Sequence, residues 1–231
     1  MIDAEATARV NDDRAKDALD LAGRALAAAM RDGATEAEAL VMSEDASLTR
    51  FANSQIHQNV AETNVTVNLR VVIGKRVGVA SSGRTDPEGL RRLAENATAI
   101  ARVVEELDDW PGLPGPTPVE PVAGAYATPT AHASPEVRAA GVRQVIAAAD
   151  DAGVAAFGSF SSGTETTAVA NSAGVRVAGT RTVAQLLTVS MGPGGGTGYT
   201  EGAAVDIDAI DAAAIGRESA DKARAISSSR C

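Results

Sequence analysis

Cysteine is all but missing from this chain of 231 residues, which carries one thiol, Cys231. A single thiol forms no internal disulfide, builds no Cys-rich zinc site and marks no oxidising compartment. Histidine is nearly as scarce, with only His57 and His132. Zinc hydrolases need two or three His or carboxylate ligands on a rigid element, commonly His-Glu-x-x-His, because imidazoles one helical turn apart grip one ion. His57 stands in β-type sequence between Gln55 and Gln58, and His132 in a proline-rich stretch. Neither has a carboxylate or histidine at ligand spacing, so both read as ordinary surface or hairpin residues, and no metal or other cofactor is expected in this chain. Aromatic residues make up 3% of the chain, too few for a base-stacking platform. Thirty acidic against 21 basic side chains leave a formal charge of −9 with no Lys/Arg run, so nucleic-acid binding is not expected. No window approaches the roughly 18 apolar residues of a membrane-spanning helix. The acidic start Met1-Ile2-Asp3-Ala4-Glu5 lacks the basic and apolar regions of a secretory signal. No membrane partner is expected, and the default location is cytoplasmic.

What remains is 45% hydrophobic, with alanine about a fifth of all residues, so small and β-branched side chains must build the core by close packing. Seven of the nine prolines, Pro111, Pro114, Pro116, Pro118, Pro121, Pro129 and Pro135, fall in one stretch beginning just after Trp110. Proline fixes φ and removes amide donors, so this segment should run extended over the surface with Trp110 and Tyr126 as anchors. The expected organisation is an N-terminal α+β unit over residues 1–109, a Pro-rich linker over 110–133, and a second α+β unit over 134–231.

Each half opens with a helix stopped by glycine. In the first, Ala15, Leu19, Ala22, Leu26 and Ala29 recur at helical spacing before Gly33; in the second, Ser134-Pro135-Glu136 signals a start and Gly153 a stop. β-type sequence follows, over 38–51 and 65–80 on the left and 154–170 and 175–191 on the right. A helix closes each half, the first capped by Asp86-Pro87-Glu88 and the last running to about Ile226, with Asp208 as the expected N-cap and Asp211 as its third helical position. Thr49-Arg50-Phe51-Ala52-Asn53-Ser54 recurs as Thr167-Ala168-Val169-Ala170-Asn171-Ser172, and Leu93–Ile100 recurs loosely as Glu218–Ile226. An internal duplication is the simplest account. The predicted fold is α+β: two similar units of antiparallel sheet, about four strands each, with flanking helices, joined by the Pro-rich linker. The Asn-Ser pairs read as hairpin turns, because Asn tolerates left-handed backbone.

No Gly-x-Ser-x-Gly elbow is present, and the glycines of the run 192–198 do not fit a phosphate-binding loop. That run, with Gly192, Gly194, Gly195 and Gly196, reads as a flexible hairpin loop or as a lid over a binding cleft. Phe157, Gly158, Ser159, Phe160 and Ser161 carry little side-chain bulk and read either as a plain exposed edge or as a strand edge that accepts an extended peptide through its main chain.

Three stretches resemble a known family: Arg70–Ser82, Phe157–Ser162 and Asn171–Val175. Together with the order of elements and the place of the proline-rich break, they are similar to the TldD/PmbA (TldD/TldE) metallopeptidases, and within them to the PmbA (TldE) branch, over about residues 12–228. The resemblance implies a two-part body followed by a C-terminal domain, which is expected to be absent here. It implies that TldD-type subunits carry a His-Glu-x-x-x-His zinc motif and PmbA-type subunits do not; no position of this sequence matches that motif. The implied assembly is a cytoplasmic heterodimer with a TldD-like zinc subunit that cleaves unfolded peptides, this chain supplying a non-catalytic body that is inactive alone. A stand-alone peptide-binding or scaffolding module with no enzymatic role is the alternative. A gyrase-modulator label also attaches to the family, and the charge of −9 argues against direct DNA contact.

Overall fold

The computed structural model describes residues 4–228, with side chains over 13–225, so Cys231 lies outside the described residues. The elements are α1 (Ala4–Arg31), β1 (Glu36–Ala52), β2 (Gln55–Ile73), β3 (Arg76–Ser82), α2 (Pro87–Val103), α3 (Thr128–Ala131), α4 (Pro135–Asp151), β4 (Ala155–Asn171), β5 (Arg176–Met191), β6 (Thr197–Ala204) and α5 (Ala212–Ser228), with a 3-10 turn at Ile207–Ala209. The fold is α+β, a six-stranded antiparallel sheet in the order β3-β2-β1-β4-β5-β6 with flanking helices. Each repeat contributes three long strands where about four shorter ones were expected. The run 65–80 is two strands turning at Gly74-Lys75, and β2 begins at Gln55 in polar sequence that shows no burial alternation.

α2 shows how local sequence sets a boundary. Asp86 caps it, its carboxylate accepting from the Gly89 amide at 2.9 Å, and Pro87 occupies the first turn. Arg91 and Arg92 both bond Glu88, and these bonds draw its carboxyl from 4.5 down to about 2. A carboxyl depressed in the folded state stabilises the fold above its unfolded value and loses that contribution as pH falls through its folded one. Glu88→Gln should therefore lower the melting temperature slightly at neutral pH, and the two proteins should converge as pH falls from 4.5 towards 2. A difference between them that stays constant over that window would exclude the mechanism.

α5 is capped by Asp211, whose carboxylate accepts from Ala214 N at 2.8 Å, while Asp206 caps the 3-10 turn by accepting from Asp208 N. The expected cap at Asp208 is thus displaced by three residues, because the 3-10 turn takes up the first acids of the cluster. At α4, Ser134 stands at the N-cap but its side chain bonds no helix amide; it hydrogen-bonds the Glu136 carboxylate.

Two compact units emerge, and they interleave along the chain. One comprises residues up to Glu44, Thr63–Ala123 and Glu165–Thr180; the other comprises Asp45–Glu62, Gly124–Thr164 and the chain from Arg181 onward. Each is built mainly from one repeat and completed by the β-hairpin of the other. The core of the first unit joins Ala22 and Ala25 of α1, Val67 and Leu69 of β2, and Leu93 and Ala97 of α2 to Ala168 and Ala170 of β4. The core of the second joins Val142 and Val145 of α4, Phe160 of β4 and Leu186 of β5 to Phe51, from the far end of β1.

The same bonds seat each exchanged hairpin. Ser172 N donates to Ala37 O at 2.8 Å while Ala37 N donates to Ser172 Oγ at 3.1 Å. In the other unit Ser54 N donates to Ala156 O at 2.9 Å and Ala156 N to Ser54 Oγ at 3.2 Å. The serine after each repeated asparagine thus latches the start of the first strand of the other repeat, so Asn53 and Asn171 hold equivalent places. The turns differ in detail. Asn53 and Ser54 both have positive φ, 49° and 56°, the geometry of a tight two-residue hairpin. The Asn171 carboxamide oxygen instead accepts from Ala173 N and Val175 N.

Helix packing repeats as well. A Cβ on Gly78 of β3 would lie 2.1 Å from Ala97 O and 2.5 Å from Ala101 N of α2; one on Gly198 of β6 would lie 2.0 Å from Ser219 O and 2.8 Å from Ala223 N of α5. Ala97 thereby corresponds to Ser219, one turn earlier than the sequence match of Leu93–Ile100 with Glu218–Ile226 implies. A helix slipped by one turn presents the same face, which is why the shifted match looks sound.

Candidate functional site

Phe157–Ser161 is not an open edge. β4 lies inside the sheet between β1 and β5, and the bonds expected for a visiting peptide are made within the chain. Thr188 Oγ1 donates to Phe157 O at 3.2 Å and Ser161 Oγ donates to Gln185 O at 3.3 Å. The small residues are there for close approach. A Cβ on Gly158 would lie 2.2 Å from Leu187 O and 2.8 Å from the Phe51 ring; one on Gly163 would lie 2.2 Å from Asp45 O. Phe160 is buried at 3% exposure and its ring sits where a Cβ on Gly141 would be, 2.6 Å away.

The true edges of the sheet are β3 and β6. Gly192, Gly194, Gly195 and Gly196 lead straight into β6 through a closed turn, with Gly192 N donating to Gly196 O at 2.9 Å and Gly195 N to Gly192 O at 3.0 Å. Hydrogen-bonded pairs alternate along an antiparallel ladder. With Gly192 and Gly196 bonded and the register running through Ser190↔Gly198 and Thr188↔Thr200, the backbone groups of Thr197, Tyr199, Glu201 and Ala203 face the open side. One of these is occupied: Lys222 of α5 donates from Nζ to Tyr199 O at 3.0 Å and also pairs with Glu218. Lysine guarding an edge strand is a common device against unwanted strand pairing. Tyr199, half exposed, donates its hydroxyl to Glu201 at 2.5 Å, and that carboxylate raises the tyrosine pKa. The strand therefore carries backbone pairing capacity along its open edge and an exposed aromatic side chain on the face turned away from α5, which sequence reasoning missed because it assigned no strand order.

The second unit also buries a cation. Arg138 of α4, 1% exposed, donates from Nη1 to Ala133 O at 2.8 Å and to Ser162 Oγ at 3.0 Å, while its Nε has no partner. No carboxylate among the described residues bonds it, and burial pushes its pKa down. A buried charge held by neutral acceptors adds little to stability. Arg138→Met should change the unfolding free energy, measured by denaturant titration, by less than about 1 kcal/mol, whereas a loss of several kcal/mol would show a counter-ion that this packing does not contain.

The proline-rich segment is fastened, not loose. The Glu36 carboxylate accepts from Trp110 Nε1 at 3.2 Å and from Leu113 N at 2.6 Å, and Asn171 Nδ2 donates to Pro114 O at 2.9 Å. Trp110 is the anchor its sequence position implied.

The described residues do not fit a zinc ion. His57 is exposed on β2 and His132 is exposed after α3, and no group of three His, Cys, Asp or Glu among the described residues could hold a metal. No helix among them is long and apolar enough to cross a membrane.

Comparison with known proteins places this fold. The family model for PmbA/TldA metallopeptidase domain 1 matches residues 37–101, and that for the PmbA/TldA metallopeptidase central domain matches residues 129–226. The first match ends before the proline-rich run and the second begins within its last part, at residue 129. No curated protein matches the chain in sequence. Among solved structures, TldE from Thermococcus kodakarensis superposes with a TM-score of 0.76 at 19% identity, covering 88% of this chain and 47% of its own. A proposed modulator of DNA gyrase from Bacteroides thetaiotaomicron superposes at 0.75 with 16% identity, covering 97% of this chain and 50% of that one. One from Thermotoga maritima superposes at 0.71 with 16% identity, covering 89% and 47%. The chain thus spans about half the length of these structures, which share its fold. With domain 1 and the central domain both matched, in order and over most of its length, the chain belongs to the PmbA/TldD metallopeptidase family.

Proposed function

We propose that this chain is the non-catalytic, peptide-handling body of a TldD/TldE-type zinc peptidase complex that works on unfolded peptides in the cytoplasm. The observation that carries the reading is the conjunction of membership in a metallopeptidase family with a described set of residues that offers no three-donor metal group. In this reading zinc is held by a TldD-like partner in a heterodimer, and this chain contributes surface. The surface is the edge of β6, and the Gly192–Gly196 loop at its start is the candidate lid. Main-chain pairing reads extended shape and is nearly indifferent to side chains, which suits a substrate defined by being unfolded.

The test assays an unfolded casein-like substrate with this chain alone, with a TldD-like subunit alone, and with both. Cleavage by the pair, abolished by a chelator and absent with this chain alone, is expected; chelator-sensitive cleavage by this chain alone would overturn the reading. The guarded edge adds a finer expectation. Lys222→Ala frees the Tyr199 carbonyl and should tighten binding of an extended peptide by roughly the worth of one hydrogen bond, about 1 kcal/mol or fivefold. Unchanged affinity, measured by titration of a labelled peptide, would remove β6 as the binding edge.

A further inference from the structure

We infer that the cleft between α1 and α2 binds the free C-terminal residue of a peptide, taking an aliphatic last side chain on its floor and the terminal carboxylate at its rim. The inference is independent of the zinc-complex reading, since it concerns this chain alone. The cleft has a volume of about 410 Å³ and is open along one side, within the size range of small-ligand sites. Its floor is apolar and buried, made by Ala28, Leu90 and Ala94. Two facing helices that present alanines leave room that leucines would have filled.

The rim decides the ligand. Of its three arginines, Arg91 is already taken by Glu88 and Glu95. Arg24 and Arg31 make no ion pair among the described residues. They stand seven residues apart on α1, two turns or roughly 10 Å along the axis, on flexible arms that can converge on one anion. Two unpaired cations over an apolar floor, on a chain of net charge −9, call for an anion with a hydrocarbon body. Guanidinium groups match a carboxylate in particular, through paired N–H donors.

The lining of the cleft sets Arg24, Arg31 and Arg91 against Asp32 and Glu95, the latter paired with Arg91, whereas a neighbouring cavity of about 620 Å³ sets Arg14 and the shared Arg24 against Asp17 and Asp20, so an added carboxylate is better matched on the α2 side. The open side of the first cleft distinguishes a peptide end from a free acyl chain. One residue can seat there while the rest of the chain leaves into solvent, whereas an acyl chain needs a closed sleeve to bury both of its faces.

The test titrates the full chain with an N-terminally fluorescein-labelled hexapeptide ending in leucine, followed by anisotropy, as the free acid and as the C-terminal amide. The acid should bind at least about tenfold more tightly than the amide, the usual worth of one charge-assisted bond. Arg24→Gln/Arg31→Gln should erase that preference, and Ala27→Leu, which fills the cleft wall from an exposed helical position, should weaken the acid by a similar factor while circular dichroism stays unchanged. Equal binding of acid and amide, or full affinity in the arginine double variant, would overturn the inference. So would octanoate that binds more tightly than the peptide acid, which would mark the cleft as an acyl site.

Discussion

Cut between Val119 and Glu120, the two halves of this chain are expected to be unfolded apart and to fold when mixed. Ordinary two-domain proteins behave oppositely, each half keeping its own core. Here residues 1–119 lack Glu165–Thr180, and with it Ala168 and Ala170, which are fully buried in the first core. Residues 120–231 lack Asp45–Glu62, and with it Phe51, only 2% exposed in the second core. Removing one buried phenylalanine side chain costs about 3–5 kcal/mol, comparable with the whole net stability of many domains, about 5–15 kcal/mol. Each half also loses a strand neighbour along β1 or β4, leaving a long row of unpaired backbone groups. Circular dichroism and gel filtration of each fragment and of the equimolar mixture provide the measurement. A cooperative thermal transition in either fragment alone would show that the exchanged hairpins are ornamental. The site of the cut matters little to the result, since Val119 is 65% exposed and the bonds from Glu36 and Asn171 fasten the segment upstream of it, at Trp110, Leu113 and Pro114.

Gly78→Ala and Gly198→Ala are each expected to cost about 3 kcal/mol, the upper part of the range for overpacking a core. A methyl on Gly78 falls 2.1 Å from a carbonyl oxygen of α2, and one on Gly198 falls 2.0 Å from a carbonyl oxygen of α5. The obstacle is helix backbone, which cannot rotate aside as a side chain can, so the whole helix must lift. At Gly198 the lift also strains two buried bonds, Ser219 Oγ to Gly198 O at 2.8 Å and to Ser190 Oγ at 2.9 Å. For a chain of this size the melting temperature should fall by about 6–12 °C. Gly179→Ala is the control: it sits on β5 with nothing within 4 Å of its Cβ position and no positive φ, so its effect should be neutral or slightly stabilising. A thermal melt in which all three variants match the parent would refute the close helix-to-strand packing.

Much of this architecture is legible in the residues. Asp86-Pro87 and the stops at Gly33 and Gly153 mark helix ends because capping is local chemistry, and the Asn-Ser pairs mark hairpins for the same reason. Partnership between strands is not local. Nothing in the alternation of β1 says that its neighbour is β4, so the interleaving of the two units stayed hidden. The misplaced peptide edge has a related cause. Small residues at Phe157–Ser161 are consistent with an open strand and equally with backbone that another backbone must touch, and only the measured approach at Gly158 distinguishes the two. The scarcity of cysteine and histidine, by contrast, is a property of composition and can be read directly.

The latch between Ser54 and Ala156 joins residues 102 apart in sequence, and that between Ala37 and Ser172 joins residues 135 apart. On a ribosome adding about 5–20 residues per second, the first hairpin emerges roughly five to twenty seconds before its docking strand exists. Through that interval Phe51 and Ile56, which later close the second core, are exposed to whatever is nearby. The charged and polar residues of Asp45–Glu62, among them Glu62, Arg50, Gln55 and Gln58, then serve as more than a solvated surface. They keep an unfinished hairpin in solution until translation delivers its partner.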